Sequence, residues 1–266
     1  MKLGLFGGGF KPFTTGHFAK LADAIRDNQR TILFYGMQQS DGTRTQKLRK
    51  IGSTGMMYDE LIAQSIFEIY KKALERIPGV EVVPIYSQAA KIGDMPHVRS
   101  PVGAIFNKLE EYVSNPDLYE KVTIYGDKSS MAPYMRSQAF KGLVRDGKIQ
   151  FGGAIPDSAD DYTEKIDDLM VRGEEEAREA LKAFYASKGQ EMTDDDIQDV
   201  QSVRGTRVRD LASAPKTSAL AKRYLPPFLD EDEKDKIINI LTGNVTARDI
   251  QAESQLRHII RGFIRG

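Results

Sequence analysis

Short apolar segments alternate with amphipathic segments through the first 150 residues, and this alternation constrains the fold more than any other feature of the sequence. Segments rich in β-branched and aromatic residues predict five strands, at 2–6, 31–35, 80–86, 121–125 and 148–151. Between them, apolar residues recur at spacings of three and four, which predicts helices. Strands that alternate with helices form right-handed βαβ units, so we expect an α/β fold with a doubly wound parallel sheet of about five strands.

The pattern changes after residue 153. Residues 157–199 contain fifteen acidic and five basic residues, a net charge of −10, although the whole chain is neutral. We predict an acidic helical insertion at 154–200, followed by C-terminal helices within 201–266. The three consecutive aspartates at 194–196 are interpreted as the start of a helix and not as a metal site. The remainder of the chain carries a net charge of +10, which favours an anionic ligand.

Composition excludes several classes of protein. The chain contains no cysteine, which rules out disulfides, thiolate metal sites and a cysteine nucleophile. It has no run of about 18 apolar residues and no leader-like start, so we expect a cytoplasmic protein without a membrane span. The charge distribution is too weak to indicate nucleic acid as a partner, and none is expected. Self-association through the last predicted helix, at 246–264, is left open.

A glycine-rich turn, G-G-G-F-K-P-F-T-T-G-H, follows the first predicted strand and occupies residues 7–17. A Walker A loop and a dinucleotide fingerprint both need glycine at position 12, where this chain has proline, so neither applies. The turn still has the parts of an anion site, because glycines let backbone N–H groups approach a phosphate and the next helix supplies a positive end. Lys11 adds a charge, and the side chains of Thr14 and His17 add hydrogen-bond donors.

This turn resembles the signature of the nucleotidyltransferase superfamily that carries the (H/T)-x-G-H motif. That superfamily includes the nicotinamide-mononucleotide, pantetheine-phosphate and FAD-forming adenylyltransferases, and the cytidylyltransferases. In this sequence Thr14 stands at the first position of the motif and His17 at the last. The resemblance implies a Rossmann-like core at 1–153.

Two further segments resemble parts of the same superfamily. The stretch S-V-R-G-T-R-V-R-D-L at 202–211 is similar to the family's I-S-S/G-T-x-x-R segment. Thr206 and Arg209 match its functional residues, and Arg204 stands where the family usually has serine. The stretch T-I-Y-G-D-K at 123–128 resembles a strand-end G-x-D segment, although here Asp127 follows Gly126 directly.

The resemblance implies a direct displacement, in which a phosphate on an acceptor attacks the α-phosphorus of an NTP and pyrophosphate leaves. It gives catalytic roles to Lys11, Thr14, His17 and Arg209. The implied nucleotide-binding residues are Gly7, Gly8, Gly9, Phe10, His17, Gly126, Asp127, Thr206 and Arg209, and the implied acceptor-binding residues are Thr14, Arg44 and Lys47. Mg²⁺ is expected to accompany the NTP and to be held mostly through water, without a direct protein cage.

The sequence leaves the nucleotide and the acceptor open. The F-K-P-F stretch before the motif resembles the adenylyltransferases, which favours ATP with an acceptor such as nicotinamide mononucleotide, phosphopantetheine or FMN. The alternative is a cytidylyltransferase that acts on a sugar, polyol or choline-type phosphate. An alternative of another class is a catalytically inactive regulator that binds a nucleotide. A solvated loop explains Arg44 and Lys47 equally well.

Overall fold

A five-stranded parallel sheet forms the centre of the protein. The computed structural model describes residues 1–37, 49–52, 56–58, 60–86, 100–126, 146–152, 166–214 and 216–244. Its strands are β1 (Lys2–Gly8), β2 (Arg30–Gly36), β3 (Arg49–Lys50), β4 (Met57–Tyr58), β5 (Val80–Ile85), β6 (Lys121–Tyr125) and β7 (Ile149–Phe151). The sheet order is β5-β2-β1-β6-β7, while β3 and β4 form a separate antiparallel hairpin.

Helices cover both faces of the sheet. In chain order they are α1 (Thr15–Asp27), α2 (Glu60–Leu74), α3 (Pro101–Ser114), α4 (Ile166–Ser187), α5 (Asp194–Ser202), α6 (Gly205–Ser213), α7 (Ser218–Arg223) and α8 (Glu231–Thr242). Apolar residues of α3 bury one face, whereas α1, α2 and the later helices bury the other. This arrangement confirms the predicted α/β fold with a Rossmann-like, doubly wound sheet. The predicted helices at 135–144 and 246–264 lie outside the described residues.

The acidic segment packs directly on the first helix of the core. The Lys20 amine on α1 donates to the Gly173 carbonyl at 2.9 Å and pairs with Glu174 at 2.8 Å. One turn and a half later, Arg26 pairs with Glu176 at 2.8 Å. Acidic side chains of α4 therefore neutralise a basic stripe on α1. The predicted boundaries at 153 and 200 stay predictions.

The aspartates at 194–196 form the first turn of α5, as predicted. The helix is capped by Thr193, whose hydroxyl accepts a hydrogen bond from the Asp196 N–H at 3.1 Å. Among the residues that the structure describes, no group of three or more His, Cys, Asp or Glu side chains is placed to hold a metal ion. Within the same residues, no helix is both long enough and apolar enough to cross a membrane.

A buried carboxyl at the interface between α1 and α4 predicts an unusual pH dependence of stability. Asp23 is 1% exposed and accepts a hydrogen bond from Arg26 at 2.7 Å. Burial raises the pKa of Asp23 to about 7, although the charge of Arg26 opposes this shift. Because the folded pKa exceeds the unfolded value, the folded state binds the additional proton between about pH 4 and 7. The free energy of unfolding therefore falls as the pH rises through this window.

We expect Asp23→Asn to remove this dependence, since an amide does not titrate. Between pH 4 and pH 8, the free energy of unfolding should change by up to about 4 kcal/mol more in wild type than in Asp23→Asn. This limit corresponds to about 1.4 kcal/mol per pKa unit. Urea denaturation at several pH values measures this difference. Asp27→Asn is the matched control, because Asp27 also pairs with Arg26 but its side chain is 40% exposed. Equal pH slopes for wild type and Asp23→Asn would contradict the prediction.

Candidate functional site

The glycine-rich turn lies at the carboxyl end of β1, where the sheet has β2 on one side and β6 on the other. Strand order reverses at this point, and doubly wound sheets bind their ligands in the crevice outside such a reversal. Gly126 directly follows β6 at the same edge. Three further predicted site residues, Asp127, Arg44 and Lys47, lie outside the described residues.

His17 is held in one orientation at the start of α1. Its half-buried ring packs against Phe10 and Phe13, with centroid separations of 4.9 and 5.5 Å. Its Nδ1 accepts a hydrogen bond from the Thr14 backbone N–H at 3.0 Å. A ring nitrogen that accepts carries no proton, so the neutral imidazole has its proton on Nε2. His17 therefore presents an N–H donor on the side of the ring that faces away from the backbone of the turn.

Thr14 is buried and its hydroxyl has protein partners. Oγ1 donates to the Val203 carbonyl at 3.0 Å and lies 2.9 Å from Nδ1 of His17. The side chain is fully buried. The hydroxyl lies between the histidine and the segment that precedes α6, and its predicted contact with a phosphate stays a prediction. Thr14 therefore connects His17 to the segment that precedes α6.

The second motif forms the first two turns of α6. Thr206 is exposed near the helix start, and Arg204 and Arg207 are exposed on either side of it. Arg209 is only 3% exposed. Its guanidinium donates to the carbonyl oxygen of Lys11 in the glycine-rich turn and, at 3.1 Å, to the Thr206 hydroxyl. Arg209 thus bridges the two motifs, and its predicted contact with phosphate stays a prediction.

Two glycines allow the backbones of the two motifs to touch. A Cβ atom on Gly16 would lie 2.2 Å from the Gln201 carbonyl oxygen, and one on Gly205 would lie 2.4 Å from the Lys11 carbonyl oxygen. Real Cβ atoms do not approach backbone oxygens so closely, so only glycine fits at either position. Together with the hydrogen bonds of Thr14 and Arg209, these contacts join segments about 190 residues apart into one site.

Two buried tyrosines, which the sequence did not single out as site residues, contact the backbone of the same turn. The Tyr70 hydroxyl donates to the Phe13 carbonyl at 2.7 Å, and the Tyr35 hydroxyl contacts the Phe10 carbonyl at 3.5 Å. Burial raises the pKa of both phenols, so they stay protonated and can donate. In a trans peptide the C=O and the N–H point in opposite directions. The Phe10 carbonyl faces Tyr35, so the Lys11 N–H of the same peptide points away from Tyr35.

Comparison with known proteins gives no family for this chain. The sequence matches no protein-family model, and it matches none of the curated proteins. Among solved structures, TmcAL of Thermotoga maritima bound with α-thio ATP aligns with 89% of this chain, at 13% sequence identity and a TM-score of 0.38. The chain spans 54% of the length of that protein. At this level of similarity, neither fold nor function follows from the neighbour, and both rest on the geometry above.

Proposed function

We propose that the protein is a nucleotidyltransferase, which transfers an adenylyl group from ATP to a phosphorylated acceptor and releases pyrophosphate. One observation carries the proposal. Two segments that resemble the two motifs of one superfamily, and that lie about 190 residues apart, pack into a single site through hydrogen bonds and glycine contacts. If the first segment only capped a helix and the second were only an unrelated basic helix, their backbones would not need to approach so closely at two positions.

The reaction is an in-line displacement at the α-phosphorus. A bond forms between an acceptor phosphate oxygen and the α-phosphorus, and the bond from the α-phosphorus to the bridging oxygen of pyrophosphate breaks. The proposed role of His17 is to donate its Nε2 proton in a hydrogen bond to the α-phosphate, where negative charge builds up in the transition state. A preorganised donor of this kind contributes a factor of about 10²–10³ to the rate.

The second motif and the glycine-rich turn supply the proposed site for the triphosphate tail. Phosphate oxygens accept from the Thr206 hydroxyl and the N–H groups at the start of α6, and Lys11 and Arg204 add positive charge. Arg209 positions this set, because it holds the Lys11 carbonyl and the Thr206 hydroxyl at once. Mg²⁺ would enter with the NTP, would be held by phosphate and water ligands without a protein cage, and would supply neutralisation of phosphate charge.

A thermal-shift series tests the nucleotide preference. At 100 times its dissociation constant a ligand adds about 2.7 kcal/mol to the free energy of unfolding. For a chain of this length that corresponds to a rise of roughly 5–10 °C in Tm. We expect MgATP to produce such a rise at a lower concentration than MgCTP. A larger rise in Tm with MgCTP than with MgATP would indicate cytidylyl transfer instead of adenylyl transfer. No rise in Tm with either nucleotide would contradict the proposal.

A further inference from the structure

One tyrosine next to the site carries a hydroxyl that the folded protein leaves unpaired. Tyr58 lies in β4 and is 1% exposed. In the part of the chain that the structure describes, its Oη is the one buried side-chain nitrogen or oxygen with no hydrogen-bond partner. An unpaired buried hydroxyl destabilises the folded state, and phenylalanine would fill the same volume without that cost. We therefore expect this hydroxyl to have a hydrogen-bond partner in another state of the protein, such as the ligand-bound state.

The surroundings of Tyr58 point to Arg209. Burial raises the pKa of Tyr58, and the positive charge of Arg209 opposes this rise. Burial and, to a smaller extent, the Tyr58 phenol raise the pKa of Tyr35 and of Tyr70. These two hydroxyls already contact carbonyls of the glycine-rich turn. Tyr58 is thus the member of this group that responds to the charge of Arg209 and whose hydroxyl, among the described residues, has no hydrogen-bond partner.

The hairpin that carries Tyr58 also packs on the helix that carries Arg209. A Cβ atom on Gly52 would overlap the Ser213 side chain and lie 3.3 Å from the Asp210 Cα, so the hairpin and α6 are in direct contact. The Ile51 N–H donates to the Met56 carbonyl at 2.9 Å, which closes the hairpin. The hairpin thus holds Tyr58 against the helix that carries Arg209.

We propose that Tyr58 is a positioning residue whose hydroxyl accepts a hydrogen bond from the Arg209 guanidinium when a nucleotide is bound. The inference rests on the proposed function. In the free protein the guanidinium is shared between the Lys11 carbonyl and the Thr206 hydroxyl. A hydroxyl that donates to a phosphate can still accept from Arg209, and the guanidinium has five N–H donors, so Tyr58 supplies a further acceptor without breaking either of these bonds. Pairing that occurs only in the bound state strengthens nucleotide binding.

The test compares Tyr58→Phe with wild type in two measurements, ligand-free Tm and the Kd of MgATP by calorimetry. We expect the ligand-free Tm to stay equal or to rise, because no hydrogen bond is lost, and the Kd to increase about tenfold. Tyr70→Phe is the matched control. It removes a buried hydroxyl that is already paired, with the Phe13 carbonyl, and so lowers the ligand-free Tm.

The outcomes separate this inference from the proposed function. An unchanged Kd for Tyr58→Phe, while wild type binds MgATP, overturns the role of Tyr58 and leaves the proposed function intact. A lower ligand-free Tm for Tyr58→Phe also overturns it, because the hydroxyl would then be paired in the free protein. Absence of binding of MgATP and MgCTP to wild type overturns both.

Discussion

We expect His17→Ala to lower the kcat of nucleotidyl transfer by a factor of about 10²–10³, and to leave the KM for the nucleotide within a few fold of wild type. The proposed contact of His17 strengthens as charge builds up on the α-phosphate, so its loss affects the transition state more than the bound substrate. The ring is half-buried and packs against Phe10 and Phe13 at the turn. The folded protein should therefore survive the substitution, with a cost of about 1–2 kcal/mol in the free energy of unfolding.

Two variants of Thr14 control this measurement. Thr14→Ser keeps a hydroxyl that can reach the Val203 carbonyl and should retain most of the activity. Thr14→Val has nearly the same shape but leaves that buried carbonyl unpaired, so the orientation of His17 loosens and kcat falls about tenfold. A His17→Ala variant that keeps more than a tenth of the wild-type kcat would show that this ring does not stabilise the transition state.

Gly205→Ala should damage both stability and activity, because it pushes the two motifs apart. The added methyl group would lie 2.4 Å from the Lys11 carbonyl oxygen and 2.8 Å from its carbon, and these are backbone atoms that cannot turn aside. Overpacking of this kind costs about 1–3 kcal/mol. Any relief moves α6 away from the turn, which stretches the bond from Arg209 to Lys11 and displaces Thr206. We expect at least a hundredfold loss of kcat/KM under conditions in which the variant is folded.

The matched control for stability is Gly9→Ala in the same turn. A Cβ atom on Gly9 would meet nothing within 4 Å, so the free energy of unfolding should stay within about 0.5 kcal/mol of wild type. Denaturation curves for the two alanine variants give the comparison directly. If Gly205→Ala were as stable and as active as wild type, the close packing of the two motifs would not be needed for function.

The sheet was predictable from the sequence because its strands are short, rich in β-branched and aromatic residues, and separated by helical periodicity. The predicted strand at 31–35 lies within β2, and the predicted strand at 121–125 coincides with β6. Local pattern suffices there, since strand and helix are set by neighbouring residues. The acidic character of α4 was also visible, but its partners were not, because Lys20 and Arg26 lie about 150 residues away.

The roles of individual site residues were harder to predict, because burial and bonding depend on distant backbone atoms. Thr14 and Arg209 match motif positions, yet each is buried against a carbonyl almost 200 residues away in the chain. Tyr70 lies within an apolar stripe of α2 and looks like an ordinary core residue until its hydroxyl meets the Phe13 carbonyl. Gly16 fits the motif in sequence, but its packing against Gln201 becomes visible only in three dimensions.

The central claim is that two distant motifs form one site for transfer of a nucleotidyl group. Its most direct test is incubation of the protein with ATP labelled at the α-phosphate, Mg²⁺ and a panel of phosphorylated acceptors, with the products separated and pyrophosphate measured. We expect label to pass to one acceptor with an equal amount of pyrophosphate, and His17→Ala to slow the formation of both by a factor of about 10²–10³. Bound ATP that yields no pyrophosphate with any acceptor, or that is converted to ADP and phosphate, would contradict the central claim.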